Sequence, residues 1–283
     1  MHVDLHLHTT ASDGTLSATK LVELAARQGV RTMAITDHDS TEGLAEGFAA
    51  SKRHPGLRLI PGVELNTEVP GGEVHILGYC LHYRVPAFQE ALAALREGRL
   101  DRGRRMVDKL AGLGLPISWQ RVLELSNGGS VGRPHVAQAM VEAGHVSSIQ
   151  EAFDRYIAFG GRAYVERARL SPQEAVALVL SVRGVPVLAH PDEVSGLTEA
   201  LLPELVPAGL AGMEVYYKGY GPEVRARLLG LAQRYGLLPL GGSDYHGLRR
   251  DAEILPGGVD VPQEAVERLL ALAKERGANV VEP

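Results

Sequence analysis

The chain has 283 residues, of which 45% are hydrophobic and 22% charged, and a formal net charge of −5; this excludes a disordered or fibrous chain and a strongly basic nucleic-acid binder. Its single cysteine excludes an internal disulfide and a cysteine-based zinc site, and predicts a reducing, cytoplasmic setting. No apolar run reaches the length of a membrane span and no secretory leader is visible before Val3, so neither a membrane nor export is expected.

Val3–His8 alternates and predicts a strand, and Ser17–Gln28 carries apolar residues at helical spacing up to a stop at Gly29. Arg31–Thr36 predicts a strand and Glu42–Arg53 a helix. Leu57–Leu65 and Glu73–Tyr79 predict strands on either side of the turn signal Pro70-Gly71-Gly72. From about Pro86 to Arg162 only helical signals occur, in Phe88–Leu110, Ser118–Leu125, Pro134–Ala143 and Ser147–Phe159. Ser118 suits an N-cap, and Ser147 with Gln150 has capping-box spacing. Ser171-Pro172-Gln173-Glu174 is a capping box opening a helix over Pro172–Val182. Strands at Val185–Ala189, Gly212–Tyr216 and Leu237–Leu240 then alternate with helices at Leu197–Leu205 and Pro222–Tyr235. Seven strands interleaved with helices predict an α/β fold, either a barrel or a doubly wound sheet. The expected division is a catalytic barrel from residues 1–85 plus 163–283 and a helical insertion, 86–162, lying over the active site as a substrate lid.

Eleven histidines stand out. Six lie at or near the ends of candidate strands, beside acids: His6, His8, His38, His75, His190 and His246. Residues i and i+2 of a strand share a face, so His6 and His8 aim at one point, as do Asp244 and His246 if that segment is extended. Asp13 follows in a short loop, and Glu64 ends its strand. A parallel barrel opens all strand C-termini on one face and would gather these scattered residues in one bowl. Imidazole and carboxylate without thiolate suit Mn²⁺, Zn²⁺ or Fe²⁺, and six imidazoles with three carboxylates exceed what one ion takes, so two or three divalent ions are implied. Clustered cations activate water and clamp a phosphoryl group. His2, His54, His82 and His145 read as ordinary surface or loop residues, and Cys80 as packing.

The motifs Asp4-Leu5-His6-Leu7-His8-Thr9-Thr10-Ala11-Ser12-Asp13-Gly14, Ile35-Thr36-Asp37-His38-Asp39, Pro61-Gly62-Val63-Glu64, Val74-His75-Ile76-Leu77-Gly78-Tyr79, Ala189-His190-Pro191 and Gly242-Ser243-Asp244-Tyr245-His246 occur in an order that resembles the PHP (polymerase and histidinol phosphatase) superfamily of metal-dependent phosphoesterases. The resemblance implies a distorted (β/α)7 barrel and three cation sites. The first would use His6, His8, Glu64 and Asp244; the second Glu64 as a bridge with His75 and His190; the third Asp13, His38 and His246. Some members carry His where this chain has Asp13. Mn²⁺ is the first expectation, with Zn²⁺ and Fe²⁺ as alternatives. Asp13, His38, Glu64, His190 and His246 are the expected catalytic set. Asp37 is expected to orient an imidazole or to cap.

The chain's size, its insertion and Val131-Gly132-Arg133-Pro134-His135-Val136-Ala137 resemble the TrpH-like group, which is similar to enzymes that remove the 3′-phosphate of nucleoside 3′,5′-bisphosphates and has related members that trim short RNA from a 5′-phosphorylated end. The expected function is therefore phosphate-ester hydrolysis on small nucleotides or short RNA by a metal-bridged hydroxide. Pro134 near a helix start leaves N–H groups free, Arg133 offers a bidentate fork and His135 a further donor, so these are expected substrate contacts, as is Lys218 after a late strand. Arg99, Arg102, Arg104 and Arg105 cannot all face one bowl; some are expected to pair with Asp101 and Asp108. No stable protein partner is implied. Histidinol-phosphate hydrolysis, an amidohydrolase and a non-catalytic nucleic-acid accessory module are the rival expectations. The second needs a strand-end lysine that only Lys218 approaches. The third is weakened by the net charge. Three bound divalent ions would bring the chain from −5 to about +1, so an acidic composition need not repel phosphate.

Overall fold

Seven strands lie side by side in chain order in a computed structural model that describes residues 2–69, 72–126, 128–166, 170–193, 196–248 and 253–278. They are β1 (His2–Asp4), β2 (Val30–Ile35), β3 (Arg58–Val69), β4 (Gly72–Tyr79), β5 (Val185–Leu188), β6 (Gly212–Tyr217) and β7 (Leu238–Gly242). The sheet curls until its outer strands meet: Leu5 N–H donates to Gly241 O at 3.3 Å, His8 N–H to Tyr245 O at 3.0 Å, and Leu7 bridges Tyr245. The result is a nearly closed seven-stranded barrel. Gly242 permits this closure, because a Cβ there would sit 2.4 Å from His6 N.

One strand departs from the parallel barrel expected. β3 pairs antiparallel with β4, and β4 antiparallel with β5, whereas the other neighbours are parallel. A hairpin rather than a helical crossover joins β3 to β4; Pro70 and Gly71 of the turn signal lie outside the described residues. β3 also continues well past Glu64, so Glu64 and His75 sit within strands instead of at their ends.

Helices α1 (Ala18–Arg27), α2 (Leu44–Ser51), α7 (Pro172–Ser181), α8 (Leu197–Ala208) and α9 (Pro222–Tyr235) pack outside the barrel. Between β4 and α7 run α3 (Pro86–Gly112), α4 (Trp119–Leu125), α5 (Arg133–Glu142) and α6 (Ile149–Ala152), with a π-helical turn over Phe153–Ile157. These have their own buried cluster, including Leu110, Val122, Val136, Met140 and Ile157. Ser118 caps α4 as expected, but Ser148 rather than Ser147 caps α6; Ser147 instead donates to Glu151 through its N–H and hydroxyl. The Ser171 capping box is present. α8 runs through Pro203 and on to Ala208, beyond its expected end. A tenth helix, α10 (Gln263–Glu275), was not expected. Its Val266, Leu269 and Ala273 pack with Val3, Leu5, Ile60, Val187 and Leu240 in one apolar cluster. No helix among the described residues is long and apolar enough to cross a membrane.

Candidate metal centre and adjoining cavities

β1 ends at Asp4, earlier than alternation suggests. Leu5 stays in the apolar cluster with α10, Leu7 packs with the outer helix layer, and His6 and His8 both turn inward. They meet Glu64, which is 1% exposed and is surrounded by five imidazoles. Glu64 Oε1 lies 2.7 Å from His75 Nδ1 and 3.0 Å from His190 Nε2. Its Oε2 lies 3.2 Å from both His6 Nε2 and His8 Nε2, and 3.0 Å from His38 Nδ1. Asp244 Oδ1 lies 3.4 Å from His6 Nε2 and 3.1 Å from His8 Nε2. Asp13 reaches His246 at 3.3 Å and His8 and His38 at 3.7 Å.

All nine expected ligands thus converge. Within this cluster three sets place one donor atom from each member within 4.8 Å of the others: His6, His8, Glu64 and Asp244; His8, Asp13, His38 and His246; and His38, Glu64 and His75. Against the three sites the resemblance implied, His8 joins the Asp13 set and His38 joins the His75 set, with His190 at 3.2 Å from His75. Asp244 has φ of +49°, so the 244–246 segment is not extended; the pair nevertheless meets, with His246 Nδ1 3.5 Å from Asp244 Oδ1.

The residues fit divalent cations. His8 Nε2, Asp13 Oδ1 and His38 Nδ1 are buried and make no well-aligned hydrogen bond, a state that normally costs about 1–3 kcal/mol per group unless something else occupies the space. The charges also anticipate a cation. Burial pushes Glu64 up, but the imidazoles of His38, His6 and His75 outweigh it and hold the carboxyl well below its usual range. Asp244 is likewise held low against burial by His6, Lys218 and His246. Burial disfavours a proton on His8, yet Asp244 and Glu64 prevail and raise it to about 10. Without metal, protons on His6 and His8 balance the carboxylates, whereas burial outweighs Glu64 and Asp13 at His38 and pushes that imidazole down to about 3. A ring of carboxylates and imidazoles of this kind offers the oxygen and nitrogen donors that divalent cations take.

Two cavities adjoin the cluster. The inner one, about 130 Å³, is lined by Asp13, His38, His75 and His246 on the barrel side and by Arg99, Arg102 and Arg133 from the inserted helices. Arg99 and Arg102 are the inward members of the arginine run; with Gly103 and Met106 they form the buried face of α3, while Arg104 and Arg105 point to solvent. Arg105 pairs with Asp101 at 3.3 Å. The outer cleft, about 630 Å³, shares Asp13 and Pro134 with the inner cavity and is lined further by Leu16, Leu125, His135, Gln138 and Tyr245.

Of the expected substrate contacts, Arg133 lies in the inner cavity, where it and Arg102 engage the Glu73 carboxylate. Burial pushes Glu73 up, but Arg133 and Arg102 overcome it and bring the carboxyl to about 2. His135 faces the outer cleft, and its Nδ1 accepts the Gly132 N–H at 3.0 Å. Lys218 lines neither of these cavities. Its Nζ lies on Asp244, 2.8 Å from Oδ2 and 3.0 Å from the carbonyl. Asp37 accepts from Thr9 N–H at 2.7 Å, Thr9 Oγ1 at 2.7 Å and Ser12 Oγ at 2.6 Å, so it braces the 9–12 loop rather than an imidazole directly.

Three residues of the site escaped the sequence reading. Asn66 Nδ2 lies 2.8 Å from His75 Nε2 while its Oδ1 meets Arg99. Tyr217 Oη donates to Asp244 Oδ2 at 2.7 Å. Glu214 is fully buried against His6 and His190. An acid inside the apolar run Gly212–Tyr217 was the one signal that pointed to it.

Residues 4–169 match the family model described as PHP domain. The chain is 37% identical over 249 residues to the 5′-3′ exoribonuclease Rnm of Salmonella typhimurium, covering 86% of this chain and 84% of that protein. It is 33% identical over 249 residues to the 3′,5′-nucleoside bisphosphate phosphatase of Chromobacterium violaceum, covering 87% of each. A crystal structure from Bifidobacterium adolescentis, described as a metal-dependent phosphoesterase, superposes with a TM-score of 0.86 at 34% identity over 95% of this chain and 96% of that one. With the barrel and the His/Asp/Glu cluster, these similarities establish that the chain belongs to the PHP family, a family of metal-dependent hydrolases of phosphoric esters.

Proposed function

We propose that this protein hydrolyses phosphate esters of small nucleotides, with the 3′-phosphate of nucleoside 3′,5′-bisphosphates as the first substrate and short 5′-phosphorylated oligoribonucleotides as the second. The observation that carries this reading is the arginine-lined cavity opening directly on Asp13, His38, His75 and His246. A substrate with one phosphate on the cluster can place a second anion on Arg99, Arg102 or Arg133. The outer cleft is of the size that holds a nucleoside, within the range of about 300–1,000 Å³ usual for small-molecule sites. The relatives named above act on such nucleotides or on RNA.

His6, His8, Glu64 and Asp244 would hold one cation, Glu64, His75 and His190 a second, and Asp13, His38 and His246 a third. Mn²⁺ suits this set of imidazoles and carboxylates, and Zn²⁺ and Fe²⁺ meet the same donors. Bound there, such ions supply Lewis acidity to the phosphoryl oxygens and acidify water at neutral pH. The rest falls to the chain. Asp13, His38, Glu64, His190 and His246 face the reacting phosphate. Arg133 grips the other phosphate, oriented by Glu73 and by the Phe153 ring 5.4 Å away. Residues 86–162 act as a lid over the barrel of 1–85 and 163–283, because they contribute the arginines that complete the inner cavity.

The test is a substrate panel in Mn²⁺. Phosphate release is expected from a nucleoside 3′,5′-bisphosphate well above that from a 3′-monophosphate or histidinol phosphate. Arg133→Ala is expected to raise KM for the bisphosphate by about 10- to 100-fold, the worth of a charge-assisted hydrogen bond of about 1.5–3 kcal/mol, while changing the 3′-monophosphate little. Equal efficiency on histidinol phosphate and bisphosphonucleotide overturns the assignment.

A further inference from the structure

We propose that β6, a strand that supplies none of the expected ligands, is the positioning element of the metal centre, acting through Glu214 and Tyr217; this rests on the reading that the cluster holds cations. Glu214 uses both carboxylate oxygens on the cluster. Oε1 lies 3.1 Å from His6 Nδ1, and Oε2 accepts the His190 backbone N–H at 2.7 Å. Tyr217 Oη donates to Asp244 Oδ2 at 2.7 Å. Three ligand residues from three separate loops are thereby registered against one strand.

Strand alternation forbids this arrangement. Residues 214 and 217 are an odd number of positions apart and should face opposite sides of the sheet. The register explains how both turn inward. Glu214 pairs with Leu240 and Tyr216 with Gly241, so β6 carries an extra residue in a bulge, and Tyr217 is returned to the Glu214 side. Gly241 makes room for the bulge: a Cβ there would come 1.8 Å from the Tyr216 carbonyl oxygen.

The chemistry follows from the partners. An imidazole with a carboxylate on Nδ1 keeps a proton at that nitrogen and presents Nε2 as the ligand atom. His6 Nε2 faces Glu64 at 3.2 Å and Asp244 at 3.4 Å, where a cation belongs. The His190 N–H contact fixes a residue whose φ is +24°, a strained backbone that needs such a restraint. Both contacts on Glu214 are with donors, so a carboxamide satisfies only one of them.

The experiment titrates the chelated protein with Mn²⁺ by calorimetry and follows thermal unfolding of the metal-free form. Glu214→Gln is expected to weaken the tightest Mn²⁺ step by about 10- to 100-fold, the usual cost of losing an outer partner of a ligand histidine. Tyr217→Phe, which removes one hydroxyl from a barrel that still packs, is expected to weaken Mn²⁺ binding by several-fold. A role in the fold alone would lower the melting temperature and leave Mn²⁺ affinity intact. Wild-type affinity and stoichiometry in either variant overturn the proposal, and Tyr217→Phe decides it should Glu214→Gln fail to fold. A wild-type protein that takes up no Mn²⁺ instead removes the metal reading itself.

Discussion

Stripping divalent cations is expected to cut phosphate release from a nucleoside 3′,5′-bisphosphate by at least about 10³-fold, with recovery on adding Mn²⁺. Cation stabilisation of a phosphoryl transfer is worth several kcal/mol, and each 1.36 kcal/mol is tenfold in rate. Activity that survives thorough chelation sinks the metal assignment. The stripped protein should also show its own pH signature. His8 is raised from 6.5 to about 10 because Asp244 and Glu64 outweigh the burial that disfavours its proton. A group whose folded pKa is raised stabilises fully below its unfolded pKa, and this stabilisation is lost as pH rises through the folded value. The melting temperature of the metal-free protein should therefore fall as pH climbs from 6.5 towards 10. The Mn²⁺-loaded protein, whose balancing charge is no longer a proton, should hold its melting temperature over that window. Parallel curves for the two forms would contradict the claim that protons stand in for cations.

Glu64→Gln is the substitution with the widest expected consequences. Five imidazoles lie within 3.2 Å of its two oxygens. An amide keeps the shape but removes the negative charge shared by two of the three candidate cation sites. The rate is expected to fall by about 10³-fold or more, and Mn²⁺ stoichiometry by at least one ion. In the metal-free protein the same change leaves buried protonated imidazoles short of a counter-charge, and removing one partner of such a pair costs about 3–5 kcal/mol. Unfolding with and without Mn²⁺, alongside elemental analysis, reads both effects. Full metal occupancy with an unaltered rate removes Glu64 from the centre.

The cluster was legible because its chemistry is rare. Imidazoles placed beside acids after short apolar runs have few explanations, and the barrel collects them. Helix faces were legible as spacing: Arg99, Arg102 and Met106 share a face by the 3.6-residue period. Which face meets the bowl was not, because that depends on how α3 docks. The direction of β4 was hidden for a similar reason, since a strand reads alike whichever way its neighbours run. Glu214 illustrates the limit most clearly: its partner His6 lies 208 residues away, and the bulge that brings Tyr217 to the same side is announced by no local pattern. Lys218 is expected to reach an anion because it follows a late strand; that its ammonium also rests on Asp244 is a pairing across 26 residues that the strand pattern does not reveal.

Barrel closure between β1 and β7 has a consequence for how the protein is made. The cluster draws its first donors from His6 and His8 and its last from Asp244 and His246, across the seam where Leu7 bridges Tyr245. A ribosome must release the segment from His6 through His246 before the two sides of this seam can meet. Contacts of such long sequence separation form late and slowly. The full donor set is therefore completed only once His246 has been made, and a fragment that stops before β5, however well its own helices and strands form, carries six of the nine donors, from His6 to His75.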